Sequence, residues 1–208
     1  MKVEIKICGI NNKESAIASY GAKYIGFVFC EESPRFIEPD IVKGIIPYLS
    51  KNQKKVGLFV NAKINFIKKI TLDLGLDMIQ LHGDEDIQFI KNLKVLTNKE
   101  IIKAIPVRTI DDVKISEEFK EFCDMILFDT KTKNQFGGTG TSFDWKLLKN
   151  LKVSKKWMIA GGLNINNIRE ALEISKAEIV DISSGVEKER GIKCENKIRD
   201  FIKYVRKL

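Results

Sequence analysis

Nowhere does this 208-residue chain run for the roughly 18 apolar residues that a membrane-spanning helix needs, so no membrane partner is expected. The opening Met1-Lys2-Val3-Glu4-Ile5-Lys6 alternates polar with apolar and lacks the unbroken apolar stretch of a signal peptide, which predicts a cytoplasmic protein. Cysteine is sparse and scattered: Cys8, Cys30, Cys123 and Cys194 form no C-x-x-C pair. That spacing argues against a disulfide framework and against a zinc site, so no metal is expected. No segment is rich in Pro, Gly or Ser and no tract is of low complexity, so residues 1–208 read as one domain. The formal charge of +8 raises nucleic acid as a partner. The lysines, however, are spread over nearly every predicted helix and interleaved with Glu and Asp. That is a solvated basic surface, with a general pull on anionic ligands, rather than a nucleic-acid stripe.

What is present is a rhythm. Apolar runs recur roughly every 25 residues, separated by amphipathic stretches, as in a repeated βα unit. Strands are predicted at Val3–Cys8, Tyr24–Phe29, Lys55–Val60, Met78–His82, Ile101–Val107, Met125–Asp129, Trp157–Ala160 and Glu178–Ser183. Helices are predicted at Lys13–Tyr20, Asp40–Leu49, Ile64–Leu74, Asp86–Leu93, Ser116–Phe122, Trp145–Leu151, Ile165–Ile174 and Asn196–Arg206. Eight such units predict an α/β fold of the closed (βα)₈ TIM-barrel type, with an open doubly wound sheet as the alternative.

Strand alternation then assigns faces. Val3, Ile5 and Ile7 should meet the helices, leaving Glu4, Lys6 and Cys8 pointing inward, with Cys8 at the carboxyl end where barrel chemistry happens. Read alone, a strand cysteine is more often a small buried hydrophobe than a base. By the same alternation Gln80 and His82, the sole histidine, face inward, as either hydrogen-bonded interior groups or substrate contacts. Asp129 closes an apolar strand, a costly position unless it is paired, hydrogen-bonded or near solvent. Capping the next loop would serve equally. Asp181 is a third inward polar group.

Two glycine turns follow late strands: Ala160-Gly161-Gly162-Leu163-Asn164 and Ser183-Ser184-Gly185-Val186-Glu187. Small residues at a strand's carboxyl end leave main-chain N–H groups open to an anion, and α/β barrels build a phosphate pocket after their last two strands. One such turn reads as an ordinary tight bend. The ordered pair points to a small phosphorylated ligand.

Eight motifs in order carry a resemblance. They are Lys6-Ile7-Cys8-Gly9-Ile10, Gly26-Phe27-Val28-Phe29 with Ser33-Pro34-Arg35, Val56-Gly57-Leu58-Phe59-Val60-Asn61 and Gln80-Leu81-His82-Gly83-Asp84-Glu85. Phe128-Asp129-Thr130-Lys131, Gly137-Gly138-Thr139-Gly140 with Phe143-Asp144-Trp145, Gly161-Gly162-Leu163-Asn164 and Asp181 to Glu187 complete them. Over its whole length the chain resembles the phosphoribosylanthranilate isomerases of tryptophan biosynthesis. The resemblance implies a cofactor-free Amadori rearrangement of N-(5-phosphoribosyl)anthranilate to 1-(2-carboxyphenylamino)-1-deoxyribulose 5-phosphate. It implies Cys8 as general base, Asp129 as general acid, Arg35 on the anthranilate carboxylate, and Gly161, Gly162, Ser184 and Gly185 at the phosphate. Such chemistry asks Asp129 to hold a proton near neutrality, with Leu127 and Phe128 limiting its solvation. It asks Cys8 to lose one, helped by Lys6 on the same face, ~7 Å away.

The chain departs from the family at Cys194, where Asp is usual, at Thr141-Ser142, where Lys-Thr is common, and at Asn11, where Thr often stands. The related histidine-pathway aminoaldose isomerase would carry Asp rather than Cys8 and a glycine turn in each half. A non-catalytic phosphate-binding barrel would not need Cys8, Asp129 and Arg35 together. Monomer and homodimer read alike.

Overall fold

A computed structural model describes residues 3–130, 142–149, 151 and 155–208. Eight parallel strands close into a barrel in sequence order. They are β1 (Glu4–Cys8), β2 (Tyr24–Val28), β3 (Lys54–Phe59), β4 (Met78–Leu81), β5 (Glu100–Val107), β6 (Met125–Thr130), β7 (Lys156–Ile159) and β8 (Ile179–Ile182). The open-sheet alternative is excluded by the pairing of β1 with β8, Glu4 opposite Ile179 and Lys6 opposite Asp181. Among the described residues, seven α-helices accompany the strands: α1 (Lys13–Ala18), α2 (Pro39–Ile45), α3 (Ile64–Asp73), α4 (Ile87–Thr97), α5 (Ile110–Phe119), α6 (Ile168–Ser175) and α7 (Glu195–Val205). No helix among the described residues is long and apolar enough to cross a membrane.

Alternation splits the core into two layers. Ile5, Ile7, Ile25, Phe27, Ile79 and Leu81 belong to the outer layer that the helices cover. Tyr24, Val56, Met78, Ile102, Met125 and Leu127 fill the barrel interior. Above them Cys8, Val28, Cys30 and Leu58 form a small apolar cluster at the mouth. The predicted faces of β1 hold: Glu4 meets Tyr24 and Lys23 at the base, Lys6 is fully buried midway, and Cys8 sits above it.

Three local departures have physical causes. Helix α5 begins at Ile110, not Ser116, because Thr109 and Asp112 form a reciprocal cap; the Asp112 carboxylate accepts from the main-chain N–H groups of Arg108 and Thr109. After β6 the expected helix is a single 3₁₀ turn, Trp145–Leu148, which buries Trp145 and Leu148 against the outer layer. Helix α6 starts only at Ile168. Before it, the Asn167 amide accepts from the Asn164 N–H and donates to the Gly162 carbonyl, satisfying the turn without helix.

An antiparallel hairpin, β9 (Glu187–Glu189) and β10 (Ile192–Lys193), was not expected from the sequence. It follows β8 at the carboxyl end of the barrel.

Candidate active site

At the carboxyl ends of the strands lies a partly open pocket. Cys8, Arg35, Gln80 and His82 line it, together with Asp129 and Asp181. The glycine turns contribute Gly161, Gly162 and Ser184. Gly185 is not on the wall. Its α-carbon hydrogens lie against the Leu163 carbonyl and Asn164, where any Cβ would collide, so it seats one glycine turn against the other. Gly161 has φ +86°, and a Cβ there would strike the Thr130 hydroxyl at the end of β6. Thr141 lies outside the described residues; Ser142 beside it donates to the Gly161 carbonyl at 3.2 Å.

One wall is a thiol above an ion pair. The Lys6 ammonium donates to Asp181 Oδ2 at 2.9 Å, both side chains being buried. Burial alone would lower the Lys6 ammonium, but Asp181 and Cys8 beside it raise it. Burial pushes the Cys8 thiol up, Lys6 and Lys193 pull it down, Asp181 opposes them, and the net direction is up. The effect of Lys6 on the thiolate is therefore the favourable one foreseen, yet it does not overcome burial. Asp181 Oδ1 is buried with no hydrogen-bond partner among the described residues.

The facing wall belongs to β6, three places from β1 around the barrel. Asp129 is buried, its Oδ1 accepting from the Thr130 N–H at 2.7 Å and its Oδ2 lying 3.3 Å from His82 Nε2. Gln80 Nε2 lies 2.9 Å from His82 Nδ1. A Gln80 N–H donated there leaves the imidazole proton on Nε2, facing Asp129. Of the two apolar neighbours expected to shield Asp129, only Leu127 shares its face. Phe128 turns to the helix side and packs edge-on against Trp157.

Sequence reasoning missed the supports behind these groups. Glu85 accepts from the Asn61 and Gly83 N–H groups and from Lys103 Nζ at 2.9 Å, which fixes the loop that carries His82. Glu187 accepts from Arg35 Nε at 2.7 Å and Nη2 at 2.9 Å. Only Lys103 carried a sign in the sequence: it interrupts the apolar run Ile101-Ile102-Lys103-Ala104-Ile105, and a buried charge needs a partner. Two of the departures are also explained. Asn11 donates to the Gly191 carbonyl at 2.8 Å and so ties the β1 loop to the hairpin. Cys194 occupies the N-cap of α7 with no side-chain capping bond, which Asp would supply.

Among the described residues, no group of three or more His, Cys, Asp and Glu is arranged to hold a metal ion.

Residues 5–204 match the sequence model of the N-(5'phosphoribosyl)anthranilate (PRA) isomerase family. The N-(5'-phosphoribosyl)anthranilate isomerase of Thermoanaerobacter pseudethanolicus is 42% identical over 206 residues, covering 98% of both chains. The crystal structure of phosphoribosyl anthranilate isomerase from Thermotoga maritima superposes with a TM-score of 0.90 at 35% identity, covering 99% of this chain and 100% of that one. A second solved isomerase, in complex with reduced 1-(o-carboxyphenylamino)-1-deoxyribulose 5-phosphate, gives 0.86 at 34% identity with the same coverage. A closed barrel with a thiol and a carboxyl on facing walls, matched over nearly its full length by these proteins, belongs to the phosphoribosylanthranilate isomerase family.

Proposed function

We propose that this chain, acting as one domain, isomerises N-(5-phosphoribosyl)anthranilate to 1-(2-carboxyphenylamino)-1-deoxyribulose 5-phosphate, the Amadori step of tryptophan biosynthesis. The observation that carries the reading is that Cys8 and Asp129 line one cavity from opposite sides of the barrel. Asp129 gives a proton to the ribose ring oxygen, the ring opens, and the anthranilate nitrogen becomes an iminium. The iminium acidifies the sugar C2 proton, which the Cys8 thiolate removes to leave an enolamine. Tautomerisation of the enolamine gives the ketone. An acid and a base on opposite sides of one substrate meet that sequence, each typically contributing about 10²–10⁴ in rate.

The remaining groups hold the substrate. The paired glycine turns offer main-chain N–H groups to the phosphate. Asp181 Oδ1 and Gln80 Oε1, both buried without a partner among the described residues, accept from sugar hydroxyls. Arg35, held in place by Glu187, attracts the anthranilate carboxylate. The His82 imidazole, with Nε2 3.3 Å from Asp129 Oδ2, orients that carboxyl. All of these groups come from one chain, so a monomer or a homodimer serves equally, and the setting is the cytoplasm.

Steady-state fluorescence with freshly made phosphoribosylanthranilate tests the reading. Saturable loss of the substrate signal, with formation of the ketose product, is expected; a wild-type protein that leaves the substrate at its spontaneous decay rate rules it out.

A further inference from the structure

Arg35 does not stand alone at its end of the pocket. The Glu187 Oε1 that accepts its Nε–H also accepts from Lys193 Nζ, at 2.8 Å. Two cations thus share one carboxylate oxygen. Lys193 is buried and spends its other donors on the Ser183 carbonyl, 3.0 Å, and hydroxyl, 3.1 Å, while the Ser183 hydroxyl in turn donates to the Cys8 carbonyl at 3.0 Å. The hairpin fixes this arrangement, with the Gly191 N–H donating to Glu187 Oε2 at 3.2 Å.

A single carboxylate against Arg35 would hold the guanidinium still but cancel its charge. The pair would then exert little pull on an anionic ligand. A second buried cation is costly to desolvate, and that cost is unexplained if Glu187 serves only to anchor Arg35. Lys193 restores one net positive charge to the cluster, in low-dielectric surroundings where its field is weakly screened.

We infer that Lys193 is a positioning and specificity-determining residue: through the carboxylate it shares with Arg35, it keeps that end of the pocket net positive and so selects a carboxylated aromatic amine over its uncharged counterpart. This rests on the phosphoribosylanthranilate reading. The same buried ammonium faces Glu187 on β9, Arg35 after β2 and Cys8 on β1, so one charge serves both the carboxylate end and the base.

Titration calorimetry at low salt tests this with two ligands: reduced 1-(o-carboxyphenylamino)-1-deoxyribulose 5-phosphate and the phenylamino analogue that lacks the carboxylate. The wild type should prefer the carboxylated ligand by at least about tenfold. Lys193→Met leaves Arg35 and Glu187 as a neutral pair. The carboxylated ligand should then weaken by about tenfold or more, while the phenylamino analogue changes by less than about threefold. Adding Glu187→Gln to that variant returns one net positive charge, from Arg35 alone, and should restore most of the preference although it removes further contacts. A merely structural role predicts the reverse. If Lys193→Met does not fold, Lys193→Gln, which keeps a hydrogen-bond donor to Glu187 but removes the charge, carries the same prediction. Equal weakening of both ligands in Lys193→Met, or loss of the preference in the double variant, overturns the assignment. Either result beside a catalytically active wild type removes only the role of Lys193; an inactive wild type removes the isomerase reading itself.

Discussion

Ion pairs ring both ends of the barrel, and the two rings differ in depth. Toward the amino ends of the strands, Lys23–Glu4, Lys54–Glu100 and Lys94–Asp124 are 30 to 49% exposed. Toward the carboxyl ends, Lys6–Asp181, Arg35–Glu187, Lys193–Glu187 and Lys103–Glu85 have no side chain more than 8% exposed. Exposed pairs contribute about 0–1 kcal/mol and can be dispensed with. Buried ones cost several kcal/mol per ion to desolvate and gain little over apolar packing, so stability alone does not explain them. The fold tolerates that cost at one end, the end that holds the cavity. The lower ring dresses the barrel; the upper ring fixes charges where a phosphorylated, carboxylated sugar amine is to be turned over.

The sharpest way to break this contrast is to remove a reacting group and find that nothing happens. Asp129→Asn and Cys8→Ala should each lower the turnover number by about 10²–10⁴. Neither group holds the barrel together, so the urea midpoint should stay near the wild-type value. Near-wild-type turnover in either variant removes that residue from the mechanism. For Cys8, a thiol-directed reagent should inactivate the native enzyme, and the reduced product analogue should protect it.

Next comes the buried pair beneath the thiol. Lys6→Met leaves Asp181 as a lone buried carboxylate and should cost about 3–5 kcal/mol in urea unfolding. Pairing it with Asp181→Leu should recover most of that loss without recovering activity. Lys6→Met should also slow alkylation of Cys8, because Lys6 is a cation that pulls the thiol toward its ionised form. An unchanged unfolding free energy would place Lys6–Asp181 with the exposed pairs and erase the contrast.

Acid separates the rings by a smaller margin. Burial alone would raise the Glu187 carboxyl, but Arg35 and Lys193 pull it down to about 2. Between its ordinary 4.5 and about 2 the unfolded chain therefore binds more protons than the folded one. The stability this group supplies is complete above the upper value and is lost as pH falls toward the lower. Glu4 at the base is also lowered, by Lys23 and Tyr24 against its own desolvation, but it is partly exposed and solvent screens the effect. In urea titrations across this range, Glu187→Gln should flatten the loss of stability more than Glu4→Gln does. The opposite order would mean that depth does not govern the pairs.

How much of this was legible in the sequence follows from the same division. Strand alternation is a local property, so Cys8, Gln80 and His82 were placed inward from period; the structure brings them to one cavity with Asp181, read as a further inward polar group, and with Asp129, read as closing an apolar strand or capping the next loop. Gly161 was found because a turn at a strand end demands a residue without a Cβ. Gly185 was found for the same reason, and its missing Cβ also makes room for the Leu163 carbonyl and Asn164, a packing role that the sequence alone did not reveal. What the sequence hid was pairing across distance. Arg35 and Glu187 lie 152 positions apart, and Lys6 and Asp181 lie 175 apart, so no window of periodicity joins them. The Glu187–Lys193 hairpin escaped notice because two- and three-residue strands have no period to detect. The early start of α5 escaped because its cap spends Asp112 on the backbone, which makes the segment look like loop.

The smallest effect belongs to the lower ring, and it sharpens the contrast by being nearly absent. Lys54 donates to Glu100 at 2.6 Å across the bases of β3 and β5, a short contact between two substantially exposed side chains. Water competes for both partners, salt screens the attraction, and holding two long side chains in one geometry costs entropy. Lys54→Ala should therefore change the unfolding free energy by no more than about 1 kcal/mol, and that change should vanish in molar salt. The steady-state constants should be unaltered, because nothing links this pair to the cavity at the opposite end. A loss on the scale of the buried pairs, or a shifted KM, would show that the base of the barrel is wired to its mouth.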